Sequence, residues 1–329
     1  MTDSSEAPGG RVVVGGSTGF MGRYLVPRFR AAGREVVTVS RSGADIAWGD
    51  QDAIDAAVDG ADLVIGLAGK SVNCRYTPEN RAAIFRSRLD TTASLSAAIA
   101  GAANPPALWV NSSTATIYRH AEDRPMTESG GEIGTGFSVE VAKAWERALF
   151  SDELPHTRRV ALRSAIVLGH GGVLEPLRNL ARLGVGGAQH DGRWPVSRAR
   201  RAAGTGHFFG ARRGRQRFSW VHVDDVARII DFLEQNPALE GPINAAAPNP
   251  VDNTTFMATV RRVLGVRIGP PMPRWMLELG AIGIRTETEL ILKSRWVLPE
   301  TLTAAGFEFT HPELEGAVRE SFDREQTTL

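Results

Sequence analysis

Short apolar runs alternate with stretches of helical periodicity along the first half of the chain. Residues 11–14 form a Val-rich run that stops at Gly15-Gly16. Residues 22–32 follow, with Leu25, Val26 and Phe29 on one helical face and Gly33 as the closing cap. Residues 35–39 predict a second strand, 45–48 a weaker third, 52–58 a short helix and 62–68 a strand buried on both faces. A long helix over 80–100, a strand over 107–113, a helix over 139–150 and a strand over 158–168 continue the series. Strand and helix alternating with short joints predict an α/β fold, a doubly wound parallel sheet with helices on both faces.

Beyond Gly169 the alternation stops. Residues 171–187 read as a helix flanked by glycines, 193–217 as a polar insert, 218–223 as strand-like, 224–236 as a helix and 242–247 as a short strand. From Thr254 the pattern is mostly helical, with proline joints at Pro270, Pro271 and Pro273. The expected organisation is a tail over 1–10, a first domain over 11–169, and a smaller, mostly helical substrate lobe over 170–329. Elements near 218–247 are expected to return to the first domain.

Composition narrows the class. The 329 residues carry 42% hydrophobic and 23% charged side chains, as in folded globular proteins. Lys+Arg 38 against Asp+Glu 37 gives no global field to draw in nucleic acid or an anionic surface. A single cysteine, Cys74, excludes an internal disulfide framework. No long apolar run predicts a membrane span, and the polar start MTDSSEAPGG has no signal-peptide core, so a cytoplasmic location is expected. The histidines show no metal-ligand spacing, and no metal is expected.

Chemistry enters at the first strand-to-helix turn. Gly16-Ser17-Thr18-Gly19-Phe20-Met21-Gly22 spaces its glycines by three. Gly16 permits the tight turn, Gly19 the close approach of a pyrophosphate, and Gly22 the close packing of helix on strand. The helix start then offers free N–H groups and a partial positive charge to phosphates. In this setting the loop predicts a Rossmann-type dinucleotide site. The second strand ends Val39-Ser40-Arg41-Ser42, without the carboxylate that would take the ribose hydroxyls of NAD. Arg41 can pair with a 2′-phosphate while Ser40 and Ser42 donate to it, so NADP(H) is the expected cofactor. Asp50 is a candidate for the adenine amino group or, equally, a helix cap.

These residues resemble the extended short-chain dehydrogenase/reductases, a group that includes nucleotide-sugar epimerases. The glycine loop, the strand end Leu67-Ala68-Gly69 and the run from Ser112 to Tyr118 carry that likeness. A closer resemblance is to the "epimerase family protein" branch. Its marks are Tyr76-Thr77, Ser87-Arg88 with Asp90-Thr91-Thr92, Trp145-Glu146, the run from Leu162 to Gly169 containing Ile166, and Ser219-Trp220-Val221-His222. The endings Arg295-Trp296-Val297-Leu298-Pro299 and Gly306-Phe307 complete them.

The wider group transfers hydride with a Ser/Thr, a Tyr and a Lys. The resemblance puts Thr114 at the hydroxyl and Lys143 at the lysine, which also holds the nicotinamide ribose. Four residues before Lys143 stands Val139, which has no proton to give. Tyr118, His222 and Lys143 itself are candidates for the missing acid. Alternatively, the pocket binds NADP(H) without ordinary turnover, as a redox sensor or scaffold. The bland readings are that Tyr118 packs, that His222 is a structural histidine, that Trp145 and Trp220 are core, and that Asp224 and Asp225 cap a helix.

Between Gly192 and Phe218 there is no acidic residue but eight arginines, Arg193, Arg198, Arg200, Arg201, Arg212, Arg213, Arg215 and Arg217. In the related group this region covers the substrate, so an anionic small molecule is expected, a nucleotide sugar among the options. The alternative is a solvated surface loop. Arg75 and Tyr76, with Lys70, lie just past a strand tip, where doubly wound sheets hold ligands; Trp220 and His222 are further substrate candidates. A nucleic-acid partner is not expected. The oligomeric state is open, a homodimer being one option.

Overall fold

The computed structural model describes residues 9–211 and 213–323. The first eight positions of the expected tail therefore lie outside the described residues. Gly9 and Gly10 already belong to strand β1 (Gly9–Gly15). There follow α1 (Phe20–Ala31), β2 (Arg34–Ser40), β3 (Ile46–Ala47), α2 (Gln51–Val58) and β4 (Leu63–Gly66). Next come α3 (Pro78–Gly101), β5 (Leu108–Thr114), α4 (Phe137–Phe150) and β6 (Arg158–Ser164). The second half contains β7 (Ile166–Leu168), α5 (Leu174–Arg182), α6 (Arg198–Ala202), β8 (Arg217–Phe218), β9 (Trp220–His222) and α7 (Val223–Gln235). It continues with β10 (Gly241–Ala245), β11 (Val251–Asp252), α8 (Asn253–Val263), α9 (Arg274–Gly283), α10 (Glu289–Leu292), α11 (Glu300–Ala304) and α12 (Leu314–Asp323).

Seven strands pair in the order β10-β6-β5-β4-β1-β2-β3, every neighbour parallel. This is the doubly wound Rossmann arrangement, with its switch point between β1 and β4. The pleat splits each strand between two cores. Val12 and Val14 of β1, Leu63 and Ile65 of β4, and Leu108 and Val110 of β5 join α1 and α7 on one face. Val13, Val64 and Trp109 join α2, α3 and α4 on the other. A strand buried on both faces needs apolar residues at every position, which is why these runs do not alternate.

The predicted strand over 158–168 breaks in two. At Ala165 the chain leaves the sheet, and β7 pairs with β9 instead, Ile166 opposite Trp220 and Leu168 opposite His222. Of the elements expected to return, α7 packs on the main sheet and β10 extends it beside β6. β8 and β9 form small sheets of their own. The second lobe has a separate core of Leu174, Leu177, Phe218, Trp220, Phe256 and Val318. Among the described residues no helix is long and apolar enough to cross a membrane.

Candidate functional site

The glycine loop is a cradle that no other side chain fits. Gly16 has φ +83°, and a Cβ there would lie 2.7 Å from Ala68 N, the start of the neighbouring strand-end loop. A Cβ on Gly22 would lie 2.3 Å from Ser17 O. Gly19 caps α1 with no side-chain hydrogen bond, so the helix start keeps its amides for a ligand. Ser17 is buried, and its Oγ has no partner among the described residues. Thr18 Oγ1 and Ser40 Oγ are 2.7 Å apart, which ties the loop to the tip of β2.

Arg41 and Ser42 are exposed just beyond that tip. The nearby carboxylate, Asp45, accepts from Thr38 N at 2.8 Å and Thr38 Oγ1 at 2.7 Å. These bonds hold its carboxyl below the usual carboxylate range and engage it away from a ribose. A groove of about 690 Å³ runs beside the tip, lined by Ser17, Thr18, Arg23, Arg30 and Asp45. Arg23 donates to Thr18 O at 2.9 Å. The sequence pattern gave no sign of Arg23, since an exposed helix arginine carries no local signature. Asp50 acts as the cap of α2, accepting from Ala53 N at 3.2 Å.

At the carboxyl end of β4, Leu67 donates to Gly15 O and keeps the Leu67-Ala68-Gly69 turn against the cradle. Arg88 braces this turn. It donates to Lys70 O at 3.1 Å and its guanidinium stands 4.9 Å from the Trp145 ring centroid. Burial lowers its pKa to about 10. A Cβ on Gly69 would press on the guanidinium at 3.1 Å, so Arg88 packs directly against this turn.

Thr114 ends β5, and its Oγ1 accepts from Thr116 N at 3.1 Å. Lys143 lies on α4 with Nζ 2.9 Å from Glu140 Oε1. Val139 is fully buried on the same helix. The roof over these residues comes from far along the chain. Tyr76 N donates to Glu287 Oε1 at 3.0 Å, and Arg75 and Arg200 both pair with the same buried Glu287. The Tyr76 hydroxyl is 3.5 Å from Ser138 Oγ, and Ser138 donates to Glu289 Oε2 at 3.0 Å. Burial and the Glu289 charge push the Tyr76 phenol well above its ordinary value. Lys293 Nζ donates to Thr116 O at 2.7 Å, and Arg295 Nε to Thr116 Oγ1 at 3.0 Å.

Comparison with known proteins agrees with this geometry. Residues 12–136 match the NAD dependent epimerase/dehydratase family, and residues 272–321 match a domain of unknown function, DUF1731. Human epimerase family protein SDR39U1 is 31% identical over 328 residues, covering 94% of this chain and 99% of its own length. The chain belongs to this epimerase family. Epimerase family protein YfhF of Bacillus subtilis is 29% identical, covering 93% of this chain and 96% of its own. The crystal structure of human SDR39U1 (isoform 2) with NADPH superposes with a TM-score of 0.79 at 29% identity, covering 95% and 99% of the two chains. A structure of MoeE5 in complex with UDP-glucose and NAD, at 18% identity and a TM-score of 0.70, shares the fold.

In this epimerase-family chain three expected site residues are buried within the fold. Tyr118 is 1% exposed; its hydroxyl donates to Asn244 Oδ1 at 3.0 Å and accepts from Arg163 Nη1 at 2.9 Å. Its hydroxyl therefore has its donor and one acceptor role filled by the protein. Trp220 is fully buried in the second core, not presented to a substrate. His222 is buried as the cap of α7, its Nδ1 accepting from Asp224 N at 3.3 Å. The expectation that no metal-ligand set exists needs one amendment. His222 Nδ1 and His311 Nε2 each lie 3.3 Å from Asp224 Oδ2, a grouping that 89 residues of separation hid from the spacing. Asp225 accepts from Thr310 N and His311 N, and Trp145 Nε1 donates to Thr92.

The arginine-rich insert is moored over the site, unlike a free loop. Phe137 N, at the start of α4, donates to Gly204 O at 3.0 Å. Asp191 accepts from Phe209 N and Gly210 N, and pairs with the buried Arg274 at 2.5 Å. Phe209 stacks between His120 and His207, whose pKa values burial lowers to about 4. Arg212 lies outside the described residues. Arg200 is committed to Glu287, which leaves Arg193, Arg198, Arg201, Arg213 and Arg215 as the exposed cations of the insert.

Proposed function

We propose that this protein binds NADP(H) and acts as an oxidoreductase or epimerase-like enzyme on a small carbonyl compound or nucleotide sugar. The observation that carries the reading is the glycine cradle. Its open helix start and its buried, unpartnered Ser17 hydroxyl suit a pyrophosphate, and side chains at Gly16 and Gly22 would fill the space. The human relative whose structure contains NADPH supports the choice of nucleotide. When bound, the nicotinamide supplies a hydride to a substrate carbon or receives one from it.

The chain's own residues then divide the work. The loop amides and Ser17 hold the diphosphate, Arg41 with Ser40 and Ser42 takes the 2′-phosphate, and Lys143 reaches the ribose. Thr114 steadies the substrate oxygen. Arg75 and Tyr76 border the substrate space under the insert. Preference for NADPH over NADH follows from an exposed arginine at the β2 tip and a nearby carboxylate engaged by Thr38. Arg41→Ala is expected to weaken NADPH by about tenfold, roughly 1.4 kcal/mol, and to leave NADH unchanged. Calorimetric titration of both nucleotides checks this; equal affinities in the wild type would remove the 2′-phosphate argument.

The fully buried Val139 at the tyrosine position favours a second reading, an NADP(H)-binding sensor or scaffold without turnover. Incubation with NADPH and a panel of carbonyl compounds and nucleotide sugars separates the two. Tight NADPH binding with no turnover supports the sensor.

A further inference from the structure

The chain carries 38 lysine and arginine side chains, and only Lys70, Lys143 and Lys293 are lysines. Lys143 and Lys293 stand beside the carboxyl end of β5, and Lys70 lies in the loop that leaves the neighbouring strand β4. Lys70 follows β4, which pairs with β5. Lys143 is on α4, which packs on β5 and the turn after it. Lys293 reaches the Thr116 carbonyl in that turn. Arginine serves as well as lysine for a solvated positive charge. It cannot serve where a cation must give up its proton, because a guanidinium stays charged. A chain that uses arginine at every other cationic position, yet keeps amines around one strand end, marks that end as a place where an amine is needed.

The three lysines differ in setting. Lys143 is partly exposed and paired with Glu140. Lys293 is 4% exposed, and among the described residues no carboxylate forms an ion pair with it. Its hydrogen bond goes to Thr116 O at 2.7 Å, and Thr116 N in turn donates to Thr114 Oγ1. Arg295 holds the hydroxyl of the same Thr116. Thr116 thus takes the Lys293 ammonium on its carbonyl and gives its amide to the hydroxyl at the family's substrate-oxygen position, so the amine and that hydroxyl flank one residue, while the usual tyrosine position is filled by buried Val139.

We propose that Lys293 replaces the absent tyrosine as the proton donor to the substrate oxygen, working beside Thr114. This deepens the enzyme reading above and rests on it. In the reducing direction the substrate carbonyl carbon accepts the hydride and the carbonyl oxygen takes a proton from Lys293 Nζ. An alcohol is formed, and the neutral amine recovers its proton from water. In the oxidising direction the neutral amine takes the hydroxyl proton as the hydride leaves the carbon. The charged groups around the ammonium are Arg295 and Glu289, and the His120 imidazole nearby is neutral above about pH 4. Burial and the Arg295 charge lower the Lys293 pKa to about 8, against the opposing pull of Glu289. Both protonation states are then populated near neutral pH, as a general acid–base requires.

Having three lysines makes the test direct. Reductive methylation of the whole native protein with ¹³C-formaldehyde gives each amine its own NMR signal, assigned by Lys70→Arg, Lys143→Arg and Lys293→Arg. The Lys293 signal is expected to titrate with a midpoint near 8. It should shift when NADP⁺ binds, and stay in place with adenosine 2′,5′-bisphosphate, which lacks the nicotinamide. With any substrate the panel yields, Lys293→Arg should lower kcat by about 100-fold and leave NADPH affinity unchanged. The proposal is overturned by any of three results. Lys293 is not methylated while Lys70 and Lys143 are, since an amine closed to formaldehyde is closed to substrate. Its signal is still protonated at about pH 10. Or it stays blind to NADP⁺ that calorimetry shows to be bound. Absence of any heat with NADPH and NADP⁺ overturns the nucleotide reading itself, a distinct failure.

Discussion

Replacing Gly22 with alanine is expected to weaken NADPH binding by at least about 100-fold, close to 2.7 kcal/mol. The added Cβ would lie 2.3 Å from Ser17 O and 2.6 Å from both Ser17 C and Cα, so backbone, not a pliable side-chain tip, has to move. The Ser17 backbone forms part of the cradle, and moving it displaces the Ser17 hydroxyl from the diphosphate position. Gly33→Ala is the control. Gly33 also has a positive φ, +78°, but a Cβ there meets nothing within 4 Å. It should cost about 1 kcal/mol of stability through backbone strain and leave NADPH affinity untouched. Calorimetry on both variants, with thermal melts beside it, separates a blocked cradle from a general loss of fold. Normal NADPH binding by Gly22→Ala would show that the diphosphate lies elsewhere.

The largest expected loss of stability comes from Glu146→Ala, about 3–5 kcal/mol. Glu146 takes both Nε and Nη2 of Arg163, at 2.8 and 2.7 Å, and also accepts from Ser113 Oγ at 2.6 Å. Arg163 extends the network to Tyr118, and Tyr118 to Asn244. Four elements of the sheet end, β5, β6, β10 and α4, are joined through one ion pair whose side chains are only about a tenth exposed. Removing the carboxylate leaves a guanidinium buried without its counter-charge, which costs far more than an intact pair contributes. Tyr118→Phe deletes the hydroxyl while leaving the ion pair whole, and should cost only about 1–3 kcal/mol. Urea unfolding measures both. A Tyr118→Phe variant with unchanged NADPH affinity and turnover fits a bracing residue; selective loss of turnover at full stability would return Tyr118 to the reacting centre.

The sequence made the sheet legible where burial on both faces demands unbroken apolar runs. β1, β2, β4, β5 and the helices after them stand within a few residues of their expected positions. The cradle was legible for a similar reason, because only glycine satisfies the close approaches at Gly16 and Gly22. What the pattern could not show was direction and distance. After β5 the chain makes a 3-10 turn over Ala115–Ile117, so the alternation that would tell which side Tyr118 faces is lost at that step. Trp220 and His222 sit on a strand that reads like any sheet strand but pairs only with β7. The split of 158–168 at Ala165 likewise leaves no composition signal. The roof was beyond reach, because Tyr76 meets Glu287 across 211 residues, and Lys293 meets Thr116 across 177. A helical, charged C-terminal segment looks like solvated surface until the fold turns it inward.

The manner in which the insert is held has a mechanical consequence. Of its apolar side chains only Ala211 is fully sequestered, whereas Phe208 is open to water. Its moorings are the Arg200–Glu287 pair, the Gly204 carbonyl and the two amides on Asp191. A cover fastened by charges and single hydrogen bonds, with little more than the Phe209 ring and Ala211 to re-bury, detaches as one piece at a modest cost in free energy. Glu287 and Arg274 are each only 4% exposed, so salt screens these moorings weakly, and detachment depends on water replacing their hydrogen bonds.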